Sequence, residues 1–88
     1  GDLVSDSIEE QAKQVLNNVQ NICEAAGYSL DDIVKISIFL TDLSNFGIVN
    51  DLMKEYFSEP YPARATVEVS ALPLGVNVEI EAIVLING

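Results

Sequence analysis

Three segments of this sequence alternate apolar and polar residues with a period of two, and two others repeat their apolar residues at helical spacing. A period of two sends successive side chains to opposite faces of a strand, whereas a period near 3.6 gathers them on one side of a helix. Ile8, Ala12, Val15, Leu16, Val19, Ile22, Cys23 and Ala26 form the first helical stripe, opposite Glu9, Lys13, Asn17 and Asn18. Ser7 with Glu10 three residues later predicts a capping box, and Gly27 predicts the stop. Ile33 to Thr41 is predicted as a strand, with Val34, Ile36, Ile38 and Leu40 on one side and Ile33, Lys35, Ser37, Phe39 and Thr41 on the other. A second helix is expected from about Asn45 to Phe57, with Phe46, Val49, Met53, Tyr56 and Phe57 inward and Pro60 and Pro62 past its end. Arg64 to Ala71 then sets Ala65, Val67, Val69 and Ala71 against Arg64, Thr66, Glu68 and Ser70. After a turn at Leu72 to Gly75, Val76, Val78, Ile80, Ala82, Val84 and Ile86 alternate with Asn77, Glu79, Glu81, Ile83 and Leu85.

The order helix, strand, helix, strand, strand predicts an α+β domain over residues 1–88: a two-layer sandwich with both helices on one face of the sheet. The other face would mix Phe39, Ile83 and Leu85 with Arg64, Thr66, Glu68, Glu79 and Glu81, a surface suited to another chain or a ligand. With 88 residues, such a chain buries only about 60% of its unfolded surface, so association is an expected source of stability. A net charge of -10 argues against nucleic acid and anionic membrane surfaces, whose phosphates it would repel. The absence of His excludes Ser-His-Asp triads and histidine metal sites. One cysteine, Cys23 on the buried stripe, can form no internal disulfide or cysteine zinc site and is expected to pack inertly. The longest apolar run, Ala82 to Ile86, is too short to span a bilayer, and no signal peptide is evident, which predicts a cytoplasmic location. The sequence opens on Gly1 rather than Met, so removal of an upstream piece is expected.

Candidate chemistry centres on the few cations. Lys13 and Lys54 are expected on solvent sides of helices and Lys35 on the mixed face, while Arg64 follows Pro62-Ala63 at the start of a strand. Its planar guanidinium could take a carboxylate through two parallel hydrogen bonds, or could simply pair with one of the many acidic residues. Glu79 and Glu81 could act as acid, base or water-positioning groups, or be solvated carboxylates. Asn50 could present an amide at a pocket edge or face solvent. Asp31 and Asp32 read as turn chemistry, since the glycine and ligand pattern of a calcium loop is missing.

Tyr61-Pro62-Ala63-Arg64-Ala65-Thr66-Val67-Glu68-Val69, then Leu72-Pro73 and Val78-Glu79-Ile80-Glu81-Ala82-Ile83, resembles the Rid family of reactive-intermediate deaminases, also called YjgF-type proteins. Gln11 to Gln14, Ala25-Ala26-Gly27, Phe39-Leu40-Thr41-Asp42 and Phe46 to Phe57 extend the match over nearly the whole chain. The resemblance implies a chorismate-mutase-like fold assembled as a homotrimer, with sites in the clefts between subunits. It also implies cofactor-free hydrolysis of small enamines and imines, such as 2-aminoacrylate and 2-iminobutanoate released by pyridoxal-phosphate enzymes, to 2-oxo acids and ammonia. By motif, Arg64 resembles the arginine that clamps the substrate carboxylate and Glu79 the residue that orients or activates water. Asn50 resembles a pocket-lining Asn, and Thr66 takes a position where many relatives have Cys. Family members also carry an N-terminal hairpin with a G-P-Y-S-like motif and an S-G-Q-like strand. The sequence starts after both, so it is expected to be the C-terminal part of such a domain.

If Leu72 to Gly75 closes a tight hairpin, Ala71 pairs with Val76 and Arg64 lies opposite Ile83. Glu79 is then about 13 Å away along the strand, at about 3.4 Å per residue. That separation predicts that Arg64 of one subunit works with Glu79 of another. The alternative is a regulatory module that holds a small carboxylate without turning it over.

Overall fold

Residues 7–86 are described by a computed structural model, in the order α1 (Ile8–Ala25), β1 (Ile33–Leu40), α2 (Phe46–Tyr56), β2 (Ala63–Glu68) and β3 (Val78–Val84). Gly1 lies outside the described residues. The start of α1 follows the sequence signal: Ser7 is extended and its hydroxyl accepts from the Glu10 N–H at 3.4 Å. Its end is a Schellman motif, in which the Tyr28 N–H donates to the Cys23 carbonyl at 2.8 Å and the Gly27 N–H to Glu24 at 3.1 Å. Gly27 supplies the left-handed φ of 88° that this closure needs. The next turn, Leu30–Asp32, closes through the Ser29 N–H donating to Asp32 Oδ2 at 2.9 Å, so of the two aspartates Asp32 serves as turn chemistry.

Ala12, Leu16 and Cys23 of the α1 stripe are buried, but Ile22 is 70% exposed and Ala26 is also open. The stripe is wider than the surface it packs on, because α1 lies against β3, an outer strand of the described sheet, and against α2. Gln11, in contrast, is buried: its side-chain oxygen accepts from the Asn77 N–H at 2.7 Å and ties α1 to the chain entering β3.

The sheet has the order β2-β1-β3, with β1 parallel to β2 and antiparallel to β3. The expected hairpin is therefore absent. The Val69 N–H donates to the Leu40 carbonyl and the Thr41 N–H to the Asn77 carbonyl, so the chain between β2 and β3 arches over the end of β1. Crossing one intervening strand means covering twice the spacing of about 4.8 Å, which a tight turn cannot do. The arch is pinned by Thr41 Oγ1 donating to Asn77 Oδ1 at 3.2 Å. Placing the most apolar strand in the centre lets both of its edges bond while Ile36, Ile38 and Leu40 become fully buried beside Leu16, Val49 and Val78.

A bulge between Ile33 and Lys35 changes the phase of β1, so Ile33 is buried and Val34 exposed, the reverse of the simple alternation. β2 is also inverted. Cα partners on neighbouring strands project to the same face, and Arg64, Thr66 and Glu68 are in register with Ile36, Ile38 and Leu40. The polar row of β2 therefore lies on the helix side, and Val67, 46% exposed, projects to the uncovered face. This is tolerable because β2 is an outer strand where the core thins: Arg64 and Glu68 stay exposed and Thr66 half-buried.

Candidate functional site

Arg64 leaves β2 toward α2, where its Nη1 donates to Oδ1 of Asn50 and its guanidinium carbon lies 5.8 Å from the centre of the Phe46 ring. Arginine has no acceptor, so the Asn50 oxygen must face it, which leaves the amide Nδ2 as a further donor beside the guanidinium. Phe46, Asn50 and Lys54 succeed one another at intervals of four residues and form one line along α2. An aromatic face, an amide and an ammonium thus follow in sequence along the helix beside Arg64.

The corner that leads into α2 is fixed by carboxylates. Asp42 accepts from the Ser44 N–H at 2.9 Å, and Glu68 Oε1 accepts from the Leu43 N–H at 2.9 Å. The bonds from Ser44 hold the Asp42 carboxyl below its ordinary value of 3.8. Glu68 is occupied here in holding Leu43, which forms one wall of an open hollow together with Phe46, Arg64 and Thr66. A second, shallow hollow with a volume of about 40 Å³ also borders Arg64 and is lined by Met53, Lys54, Phe57, Tyr61 and Pro62. Among the described residues, no carboxylate lines either one.

Arg64, Asn50 and Thr66 are therefore brought together within one chain. Glu79 is not: it is in register with Phe39, so it lies exposed on the uncovered face with Glu81, and β1 separates its strand from Arg64. The expectation that Arg64, Thr66, Glu68, Glu79 and Glu81 share one face is corrected by the parallel pairing of β2 with β1. Lys13 forms an i,i+4 pair with Glu9 at 3.2 Å, both about half-exposed, which is a weak surface contact. Among the described residues, no cluster of three or more His, Cys, Asp or Glu could hold a metal ion, and no helix is long and apolar enough to cross a membrane. What remains is a fork of donors, open on its outer edge, that suits a small carboxylate.

The Endoribonuclease L-PSP family model matches residues 1–86. The chain belongs to this family. A RutC family protein of Pyrococcus horikoshii is 49% identical over 83 residues, covering 94% of this chain and 66% of that protein. The 2-iminobutanoate/2-iminopropanoate deaminase of Homo sapiens is 44% identical over 85 residues, covering 97% and 62%. The crystal structure of RidA from the Antarctic bacterium Psychrobacter sp. PAMC 21119 superposes with a TM-score of 0.92 at 51% identity, covering 96% of this chain and 68% of that one. The chain thus spans about two thirds of the length of the curated relatives it matches. As an L-PSP family member of Rid type, it has the chorismate-mutase-like fold expected from its motifs: two helices against one face of a mixed sheet.

The sequence reading of Phe46 as inward-facing and of Lys54 as solvent-facing holds, but it puts neither beside Arg64. Phe46 is half-buried beneath Arg64, and Lys54, although exposed, borders the second hollow. The signal that could have found both is their spacing of four residues on either side of Asn50.

Proposed function

We propose that this family member hydrolyses small enamines and imines of the 2-aminoacrylate and 2-iminobutanoate type to 2-oxo acids and ammonia. The observation that carries the reading is Arg64 pinned by Asn50 and Phe46 and bordering two hollows that, among the described residues, no carboxylate lines. A relative named as a 2-iminobutanoate/2-iminopropanoate deaminase supports the substrate class.

Arg64 grips the substrate carboxylate, and Asn50 Nδ2 and the Thr66 hydroxyl border the same space as further polar contacts. Glu79 accepts a proton from water as its oxygen adds to the imine carbon, and the proton passes to nitrogen. The hydroxyl proton of the resulting carbinolamine then moves to its nitrogen, the C–N bond breaks as a C=O bond forms, and ammonia and the 2-oxo acid are released. Arg64 and Glu79 lie on opposite faces of one sheet, which supports a homotrimer whose sites combine Arg64 of one subunit with Glu79 of the next. The uncovered face, with Ile83 56% exposed and Val67 projecting from it, supports association there. Four cations among 14 acids offer no track for RNA phosphates, so a small metabolite fits the chain better than a nucleic acid. We place the protein in the cytoplasm and its chemistry outside any need for a cofactor.

Release of ammonia and 2-oxo acid from a freshly generated imine tests the activity. Arg64→Lys keeps the charge but loses the fork, and it should lower kcat/KM about 10- to 100-fold. Co-assembly of Arg64→Ala subunits with Glu79→Gln subunits should recover part of the activity that each variant lacks; no recovery would put both residues in one subunit's site. One observation favours a second reading, a carboxylate-binding module: the residues that bind are together in one chain while the water-activating candidate is not. Tight 2-oxobutanoate binding without ammonia release would select it.

A further inference from the structure

Two of the four cations in this strongly acidic chain, Arg64 and Lys54, line the same hollow. Lys54 has no ion pair among the described residues, and every other residue lining that hollow is uncharged: Met53, Phe57, Tyr61 and Pro62. A positive concavity on a chain of net charge -10 is where an anion will concentrate. Lys54 lies one turn beyond Asn50, about 6 Å along the helix, and Asn50 is the residue that grips Arg64. The arrangement therefore offers two anion-binding heads of different character. Arg64 presents a planar fork, and Lys54 a mobile point charge on a flexible stem. The largely apolar wall between them suits a short run of methylenes.

We propose that Lys54 forms a second anion subsite, so that 2-oxo and 2-imino dicarboxylates of four or five carbons bind across the mouth of the hollow. The C1 carboxylate sits on Arg64 and the distal one on Lys54. The inference rests on the proposed role of Arg64 as the carboxylate clamp, and it adds a substrate class that a single clamp would not favour. Hydrolysis of such an imine follows the same balance: water adds to the carbon, ammonia leaves, and a 2-oxo diacid is released.

Calorimetric titration of the intact chain with 2-oxoglutarate and 2-oxobutanoate tests it. The wild type should bind the diacid about fivefold more tightly than the monoacid, the size of an exposed ion pair. Lys54→Met, which keeps the stem and removes the charge, should bring that ratio to near one, and Lys54→Arg should retain it. The preference should also shrink as salt is raised. A wild-type ratio of one, or a Lys54→Met variant that weakens both ligands equally, overturns the subsite while leaving the clamp standing. A wild type that binds neither acid, or an Arg64→Lys variant that binds 2-oxobutanoate undiminished, defeats the clamp itself.

Discussion

β1 and β2 lie side by side, parallel and in register, yet one face of the sheet carries Ile36, Ile38 and Leu40 on the first strand and Arg64, Thr66 and Glu68 on the second. The apolar row is fully buried, while the polar row ranges from half-buried to exposed. A sheet face is therefore not core or surface as a whole. It is core as far as the helices fill the space above it, and at the outer strand it becomes a lip where a charge can stand with an aromatic ring on one side and water on the other. Arg64 occupies that lip, with Phe46 supplying the ring.

Substitution of paired residues is the strongest way to break this comparison. Ile38→Ala should cost about 2–5 kcal/mol in urea unfolding, because it opens a cavity in a fully buried row. Its register partner in the variant Thr66→Ala should cost no more than about 0.5 kcal/mol. Equal costs would mean that β2 is as deeply packed as β1. Next in size, Gly27→Ala should lose about 1 kcal/mol, since a side chain at φ 88° strains the closure that turns α1 back over the sheet. Calorimetric melting would detect it. Phe46→Leu removes the ring beneath the guanidinium while keeping an apolar side chain, and should weaken 2-oxobutanoate binding by about two- to fivefold. Its effect on melting should be smaller than that of Ile38→Ala.

The smallest effect concerns the corner before α2. The Asp42 carboxyl is held below its ordinary value by the bonds from Ser44, so the folded state binds its proton less readily than the unfolded state. Its stabilising contribution is complete above that ordinary value of 3.8 and disappears as the pH falls through the lowered folded value. The stability gap between wild type and Asp42→Ala should therefore be full at pH 7 and narrow in acid. A gap constant across that range would show that the carboxylate charge plays no part.

Periodicity revealed the helices and the inward side of β3, because Val78 and Ile80 sit beneath a helix and their alternation is the direct outcome of burial. It misread β2, whose alternation is just as regular. Ala65 and Val67 look like a core row only on the assumption that the apolar side of a strand faces the helices, and pairing with β1 sends them the other way. Strand neighbours depend on long-range contacts that local pattern does not encode. Ile33 and Val34 exchange roles for a different reason, a one-residue bulge that shifts the phase. At the site, the motif singles out Arg64, Asn50 and Thr66, and the structure sets Asn50 and Thr66 beside Arg64. Phe46 and Lys54 became visible only once the line on α2 was set against Arg64.

The bond between Asn50 and Arg64 joins residues only 14 apart, tying the helix of the crossover from β1 to the strand that the crossover enters, β2. One residue gained or lost within α2 would rotate the flanking parts of the helix by about 100° relative to each other and split the alignment of Phe46, Asn50 and Lys54. The arch from Val69 to Asn77 contains none of them. Length variation among relatives should accordingly collect in the arch and spare the crossover, so that a gap falling inside α2 would mark a lineage without the proposed anion grip.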